Sequence, residues 1–363
     1  MLRYPRSIDA LARRSASFVR EALRRLQPPS PGALILLYHR IATVEVDPWG
    51  LAVTPGHFAE HLEVLRHVAI PVRLDELCHT IAGAPTPRLK VAVTFDDGYA
   101  DNLHAALPIL EHFDVPATFF VTAGLVERGG EFWWDRLERA VFGACQLPAT
   151  LDLRTRRGSF SWPLSVQADA EPPWASRDGM RFTSWRAWED PPTGRHGLFQ
   201  RLYVLLKDAD EEERCTILDE LVVRTGAASV VSQSQRLLDS VELARLGRHP
   251  LAEIGAHTLT HAALASLPLA AQETEIVGGK AVIERITGSR VASFAYPFGQ
   301  RGDFTPETTA LVRSAGYARA CTATPGSVGD ACDPFTLPRL GIPDGDGASL
   351  ERMMNGMLSR SRH

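Results

Sequence analysis

Cysteine is scarce in this chain of 363 residues: Cys78, Cys145, Cys215, Cys321 and Cys332 are all there are, and none forms a Cys-x-x-Cys pair. An odd number without paired spacing argues against a disulfide framework or a thiolate zinc site, and favours a reducing compartment. Long apolar runs are missing as well; none approaches the ~18 residues needed to span a bilayer. Charge of one sign is not in excess, with 39 Lys and Arg against 43 Asp and Glu for a formal net charge of -4. That balance gives no footprint for a nucleic-acid partner. The N-terminus carries no signal-peptide apolar core, so the expectation is a cytoplasmic protein, peripheral to a membrane at most.

What is present is an ordinary globular composition, 45% hydrophobic and 23% charged. It supplies enough apolar mass for one large domain with an insertion, or for two domains. Residues 1–30 form a separate basic extension. There Arg3, Arg6, Arg13, Arg14, Arg20, Arg24 and Arg25 alternate loosely with Ile8, Leu11, Phe18, Val19, Leu23 and Leu26. Two readings stand: an amphipathic helix contacting an anionic membrane surface, or a solvated helix or frayed end.

From residue 31 the pattern alternates. Ala33 to Tyr38 is a short continuous apolar run, the mark of a strand buried on both faces. Thr54-Pro55 opens a helix carrying Phe58, Leu62 and Leu65 at helical spacing. Val91 to Phe95 is a second buried strand, Leu103 to Phe113 a helix, and Ala117 to Val121 a third strand. The rhythm resumes late: strand Leu251 to Ala256, helix Gln272 to Ile286, strand Ala292 to Tyr296, helix Thr305 to Ala315, then strands Tyr317 to Thr322 and Leu337 to Ile342. Alternation of this kind predicts an α/β fold with parallel strands. Residues 346–363 read as a C-terminal tail, loose at its Ser-Arg-rich end.

Residues 127–245 break the alternation. The stretch holds six of the seven tryptophans, at Trp133, Trp134, Trp162, Trp174, Trp185 and Trp188, and a polar helix candidate over 208–223. It reads as a large insertion, with a lid over the barrel mouth as one role. Its indoles either stack on sugar rings or build the insertion's own core.

The chemistry concentrates at strand ends. Asp96 and Asp97 directly follow a buried strand, and Gly98 permits a sharp turn. Parallel-strand enzymes place their working groups at such carboxyl ends, although most Asp-Asp pairs elsewhere are solvated turns. His257 and His261, four residues apart, follow another strand end; they face one metal ion if the segment takes a helical turn, and otherwise form a polar face. Two histidines and one carboxylate make a triad with open positions for water and substrate. The second carboxylate would stay free to take a proton. A divalent ion lowers the pKa of water from ~15.7 toward ~7, within reach of a carboxylate base.

In order along the chain, Val91 to Tyr99, Val115 to Val121, Glu253 to His261 and Phe294 to Gly299 resemble motifs of the polysaccharide deacetylases of the NodB-homology type, carbohydrate esterase family 4. The resemblance spans roughly residues 33–126 and 246–342. It implies a distorted (β/α) barrel of about seven parallel strands, formed by residues 31–126 and 246–345. It implies Asp96 as general base, with Asp97, His257 and His261 as ligands to a divalent metal ion, zinc or else cobalt or nickel. The Tyr296-Pro297-Phe298 segment would face substrate, with the Phe298 N–H as oxyanion donor.

Two features depart from the family. Its third motif commonly has an arginine two residues before the proline, where this chain has Ala295; Arg339 in Leu337-Pro338-Arg339-Leu340 is either the substitute or an ordinary surface arginine. The late Leu-x-His motif is absent, since no histidine lies between His261 and His363. Tyr38-His39 is similar to a segment of the exopolysaccharide deacetylase subgroup, which implies His39 as the general acid; the alternative is a core histidine bonded to backbone. The expected function is removal of N-acetyl groups from an N-acetylhexosamine-containing glycan. The rivals are an O-acetyl sugar esterase and a catalytically silent glycan-binding protein.

Overall fold

The computed structural model describes residues 33–81, 88–144, 147, 149–156, 158–163, 184–207, 209–227, 235–329 and 332–360. The basic N-terminal extension and Trp174 lie outside the described residues.

Strand β1 (Ala33–Tyr38) is followed by two-residue strands β2 (Arg40–Ile41) and β3 (Ala52–Val53), which pair with each other. Helix α1 (Pro55–Val68) starts where the sequence predicts: Thr54 Oγ1 accepts from the His57 N–H at 3.4 Å, and Pro55 occupies the first turn. Then come β4 (Ala69–Pro71), α2 (Leu74–Ile81) and β5 (Leu89–Phe95). The helix expected over 103–113 begins as a π-helical turn, Asn102–Ala106, before settling into α3 (Leu107–Phe113). Pro108 explains part of this, because it lacks the N–H that a regular ladder needs. Strand β6 (Ala117–Val121) and helix α4 (Ala123–Arg128) complete the first half.

Next come α5 (Trp133–Phe142), the antiparallel hairpin β7 (Thr150–Thr155) and β8 (Gly158–Pro163), α6 (Gly194–Lys207) and α7 (Glu211–Thr225). The second half follows with α8 (Ser240–Gly247), β9 (Ala252–Ala256), α9 (Leu269–Thr287), β10 (Ser293–Ala295), α10 (Pro306–Ser314), β11 (Arg319–Cys321), β12 (Leu340–Gly341) and α11 (Gly347–Arg360).

Seven strands run parallel in the order β11-β10-β9-β6-β5-β1-β12, with β4 also pairing β5. The sheet curls because residues 334–339 bond β11 before the chain continues as β12 beside β1. Ala320 donates to Pro334 O at 2.8 Å, and Leu337 donates to Ala320 O at 2.9 Å. This is the distorted (β/α) barrel that the family motifs imply.

The unbroken apolar strands follow from burial on both faces. Ile35, Ala92, Phe120, Ala295 and Cys321 form the inner cluster. Leu34, Leu36, Val91, Val93 and Phe119 join the outer cluster beneath the helices. Gly255 is dictated by this interior, since a Cβ there would come within 2.4 Å of the Phe120 ring. A third cluster lies in the 127–245 stretch and is rich in aromatics: Phe132, Trp133, Trp134, Phe142, Trp185 and Phe199.

The tail is helical over 347–360, with Leu350 and Met354 buried in the outer cluster; residues 361–363 lie outside the described residues. The Gly347 N–H donates to Glu60 Oε2 at 3.0 Å, fixing α11 against α1. The polar end of the segment hides this apolar stripe from a reading by composition.

Candidate active site

Parallel strands deliver their following loops to one end of the barrel. Asp96 and Asp97 follow β5, His257 and His261 follow β9, Phe298 lies just beyond β10, and His39 follows β1. Among the described residues five non-glycines have positive φ, and four belong to these loops: Asp97 (78°), Thr258 (65°), His261 (59°) and Phe298 (59°). Each such conformation costs roughly 1–2 kcal/mol, so strain is concentrated where groups must be aimed. At Asp97 the turn separates the two adjacent carboxylates. Gly98 continues it with φ 87°.

Asp97, His257 and His261 converge, all buried, with one ligand atom from each lying within 4.8 Å of the others. Asp97 Oδ1 is 3.6 Å from His257 Nε2 and 3.4 Å from His261 Nε2. His257 Nδ1 is 2.8 Å from Ala295 O, which places its proton on Nδ1 and leaves the Nε2 lone pair aimed at Asp97. Burial lowers the pKa of His257, and lowers that of His261 to about 3, so both rings are neutral donors. His261 Nδ1 has no hydrogen-bond partner among the described residues. Neutral imidazole nitrogens beside a buried carboxylate suit a divalent cation of borderline softness. Burial pushes the Asp97 pKa up, against the pull of His39 and His257, which is the cost a cation would relieve.

Asp96 is held differently. Arg339 grips it with both ends of its guanidinium: Nη1 donates to Oδ1 at 2.7 Å and Nη2 to Oδ2 at 2.6 Å. The same arginine, fully buried, donates through Nε to Thr322 O at 2.8 Å and through Nη1 to Thr94 Oγ1 at 3.2 Å. Burial alone would raise the Asp96 pKa. The Arg339 charge, His257 and the paired hydrogen bonds overcome it and bring the carboxyl down to about 2. Arg339 is therefore no surface arginine. Ala295 vacates the inner face of the barrel, and the guanidinium enters from the segment before β12, its Cζ 5.5 Å from the Phe120 ring centre.

His39 lines the same cavity as Asp96, Asp97, His257 and His261. Burial lowers its pKa, while Asp97 and Asp96 pull it upward. Phe298 also lines the cavity, and its ring meets His261 edge-on at 4.8 Å. Tyr296 does not belong with them. Its ring is buried in the outer cluster, stacked on Phe304 at 4.1 Å, and its hydroxyl donates to Phe335 O at 3.0 Å. Pro297 is likewise buried and does not line the cavity; its carbonyl accepts from the Gly299 N–H at 2.6 Å.

The cavity measures about 760 Å³, and several walls are ones the motifs do not announce. Trp134, Trp188, Tyr203 and Lys207 come from the 127–245 stretch, while Trp49 comes from the loop before β3. Trp134 meets His261 edge-on at 4.8 Å. Beneath it, Trp134 Nε1 donates to Tyr99 Oη at 3.1 Å, and that hydroxyl donates to Asp135 at 2.8 Å. Burial raises the Asp135 pKa to about 7, with Arg40 and Tyr99 opposing. Lys207 Nζ lies 4.3 Å above the Phe298 ring and 3.2 Å from Asp303 Oδ1. The tryptophan clustering was a signal for Trp134 and Trp188. Nothing in the sequence pointed to Trp49, Tyr203 or Lys207.

The family model described as polysaccharide deacetylase matches residues 83–147 and 192–320. The unmatched interior, 148–191, is narrower than the insertion expected over 127–245. Among solved structures, a deacetylase PplD from Streptococcus pyogenes in complex with acetate aligns with a TM-score of 0.54 at 16% identity, covering 89% of this chain and 98% of that one. IcaB from Ammonifex degensii aligns at 0.51 and 19% identity, covering 89% and 97%. A de-N-acetylase from Aggregatibacter actinomycetemcomitans gives 0.51 and 12%, covering 88% and 99%. At such identities the likeness shows the fold. Comparison with curated proteins gives no match.

Proposed function

Because the chain belongs to the polysaccharide deacetylase family and is a carbohydrate-deacetylating hydrolase, we propose that it is metal-dependent and removes N-acetyl groups from an N-acetylhexosamine-containing glycan. One observation carries the reading: a buried Asp97–His257–His261 cluster stands beside a second carboxylate, Asp96, gripped by a buried arginine on the floor of one cavity.

Asp97 Oδ1 and the Nε2 atoms of His257 and His261 would hold the ion, with zinc suited to this donor set and cobalt or nickel as alternatives. Such an ion supplies Lewis acidity toward the acetyl carbonyl and acidifies water. Arg339 keeps Asp96 ionised through the neutral range and fixes its plane, so an Asp96 carboxylate oxygen accepts the proton of the attacking water. The Phe298 N–H is the candidate donor to the developing oxyanion. His39 gives its proton to the leaving amine nitrogen; an imidazole whose basicity is lowered by burial is a strong donor once protonated. The net change is amide plus water to amine plus acetate.

Arg339 weighs against the silent glycan-binding reading, because it restores the support that Ala295 removes from the third motif. The test is acetate release from N-acetylglucosamine oligomers, with matched O-acetylated sugars, in the presence of zinc, cobalt or nickel. Asp96→Asn is expected to lose about 10²–10⁴-fold in turnover while retaining the ion, and His257→Ala to lose the ion itself. Full activity in Asp96→Asn would overturn the assignment of the base. Faster release from the O-acetylated sugars would make the enzyme an esterase first.

A further inference from the structure

Trp188 is the outlier among the described tryptophans. Trp133, Trp134 and Trp185 are 6–8% exposed, whereas Trp188 is 67% exposed. A large indole facing water is explained trivially if its segment is loosely held. The segment is not loosely held. The Ala187 N–H donates to Pro48 O at 2.7 Å, and Glu189 N–H donates to Arg186 O at 2.9 Å. Gln200 Nε2 donates to Ala187 O at 2.9 Å and to Glu189 O at 2.8 Å, tying the two residues that flank Trp188 to α6. The backbone on both sides of Trp188 is fixed while its side chain stays exposed.

The exposed indole lines the cavity that contains Asp96, Asp97, His257 and His261. Gly50 lies under it. A Cβ on Gly50 would be 3.6 Å from the indole and 3.3 Å from Arg186 Nε, and the glycine has φ +65°. The loop around Gly50 is pinned in turn by Asp47, whose carboxylate accepts from the N–H of Leu51 at 2.9 Å and of Ala52 at 3.2 Å. Trp49 and Tyr203, with ring centres 4.0 Å apart, continue the aromatic wall. At about 760 Å³ the space far exceeds one acetamido group and lies in the range of small-ligand cavities.

Resting on the glycan N-deacetylase reading, we propose that Trp188 is a stacking platform for a pyranose ring neighbouring the acetylated sugar, so that the enzyme selects an oligosaccharide over a single sugar. The C–H-rich face of a pyranose complements an indole face, and a platform held rigid before binding loses little entropy when occupied. Trp188 is on this reading a specificity residue, remote from the bond that breaks.

The experiment uses the full chain loaded with zinc. KM and kcat are measured for wild type, Trp188→Ala and Trp188→Phe with the N-acetylglucosamine tetramer and with 4-nitrophenyl acetate, which reaches only the cavity floor. Trp188→Ala is expected to raise the tetramer KM by about 3–10-fold, with a much smaller fall in kcat; Trp188→Phe recovers most of that. The penalty on the tetramer exceeds the penalty on the ester. Calorimetric binding of the tetramer to protein stripped of metal should weaken by the same factor. Equal penalties on tetramer and ester, or unchanged tetramer binding in Trp188→Ala, would overturn the platform. If wild type released no acetate from the tetramer, the N-deacetylase reading would fall, and the calorimetry would still judge the platform.

Discussion

The barrel and the 127–245 stretch solve the same problem, burying apolar surface, in opposite ways. In the barrel, short strands alternate side chains between an inner cluster built on Ile35, Ala92 and Phe120 and an outer one built on Leu34, Val91 and Phe119. The working residues stand one or a few positions beyond a strand end, where register fixes them. The other region gathers Phe142, Trp185, His196 and Phe199 around α5 and α6, with ring centres 4.5–6.3 Å apart. Buried Arg214 bridges its helices, donating to Leu206 O at 3.0 Å and Ala209 O at 2.9 Å. The barrel supplies reactive groups at fixed distances. The second region supplies walls: Trp134, Trp188, Tyr203 and Lys207. Chemistry and access are thus carried by separate cores, and substitutions should separate them.

The largest effect is expected at Arg339. Removing one partner of a buried ion pair costs about 3–5 kcal/mol, and Arg339→Ala also leaves Asp96 without its guanidinium. Denaturant unfolding should register the stability loss, and kcat should fall by about 10²–10⁴-fold. Arg339→Lys should not restore turnover, because an ammonium lacks the planar fork that engages both carboxylate oxygens. The counterpart in the other region is Phe199→Ala. Deleting this fully buried ring costs about 3–5 kcal/mol, comparable in stability but different in kind. Metal affinity, titrated with zinc, should stay within a few-fold of wild type while the tetramer KM rises. Loss of metal binding in Phe199→Ala would show that the two cores are one.

This division also decides what could be read in the sequence. Asp96, Asp97, His257 and His261 were legible because each pair follows a strand end; the helical turn expected to align the two histidines is instead an irregular loop with Thr258 and His261 at positive φ. Arg339 was legible only as a vacancy, since Ala295 lacks the guanidinium and Leu337-Pro338-Arg339-Leu340 offers one. Parity turns Tyr296 away from the cavity. Phe294 and Tyr296 lie in the outer cluster, and only Ala295 between them faces the barrel interior; a strand alternates its faces residue by residue. Trp49, Tyr203 and Lys207 were not legible, because their place in the cavity depends on how α6 docks against a loop some 150 residues earlier. The helix over 347–360 was missed because its apolar positions, Leu350 and Met354, are spaced among serines and arginines.

A pH titration should sharpen the comparison at intermediate size. His196 is buried between Phe142 and Trp185, and its Nδ1 is 2.7 Å from Thr193 Oγ1. Burial, aided by Arg195, lowers its pKa to about 4. The unfolded imidazole takes up a proton near pH 6.5, and the folded one resists until about 4, so the stability it contributes is complete above the former and lost as pH falls toward the latter. The loss is about 1–3 kcal/mol. His196→Phe should flatten that part of the stability curve relative to wild type. An identical pH dependence in both proteins would mean that acid sensitivity resides elsewhere.

The smallest expected effect lies at the seam between the two regions. Gly50 has a left-handed backbone, and any Cβ there meets Arg186 Nε at 3.3 Å and the Trp188 indole at 3.6 Å. Gly50→Ala therefore carries about 1–2 kcal/mol of backbone strain and presses on the platform from below. The strain is local to a surface loop, so the barrel's metal affinity should not change. If Trp188 is shared between the regions as the cavity wall suggests, the alanine should raise the tetramer KM about twofold or more, in the direction of Trp188→Ala and smaller. Combined with Trp188→Ala it should then add little, since the ring it displaces is already gone. Full additivity in that double-mutant cycle would mean that Gly50 and Trp188 act independently, and that the seam transmits nothing from one core to the other.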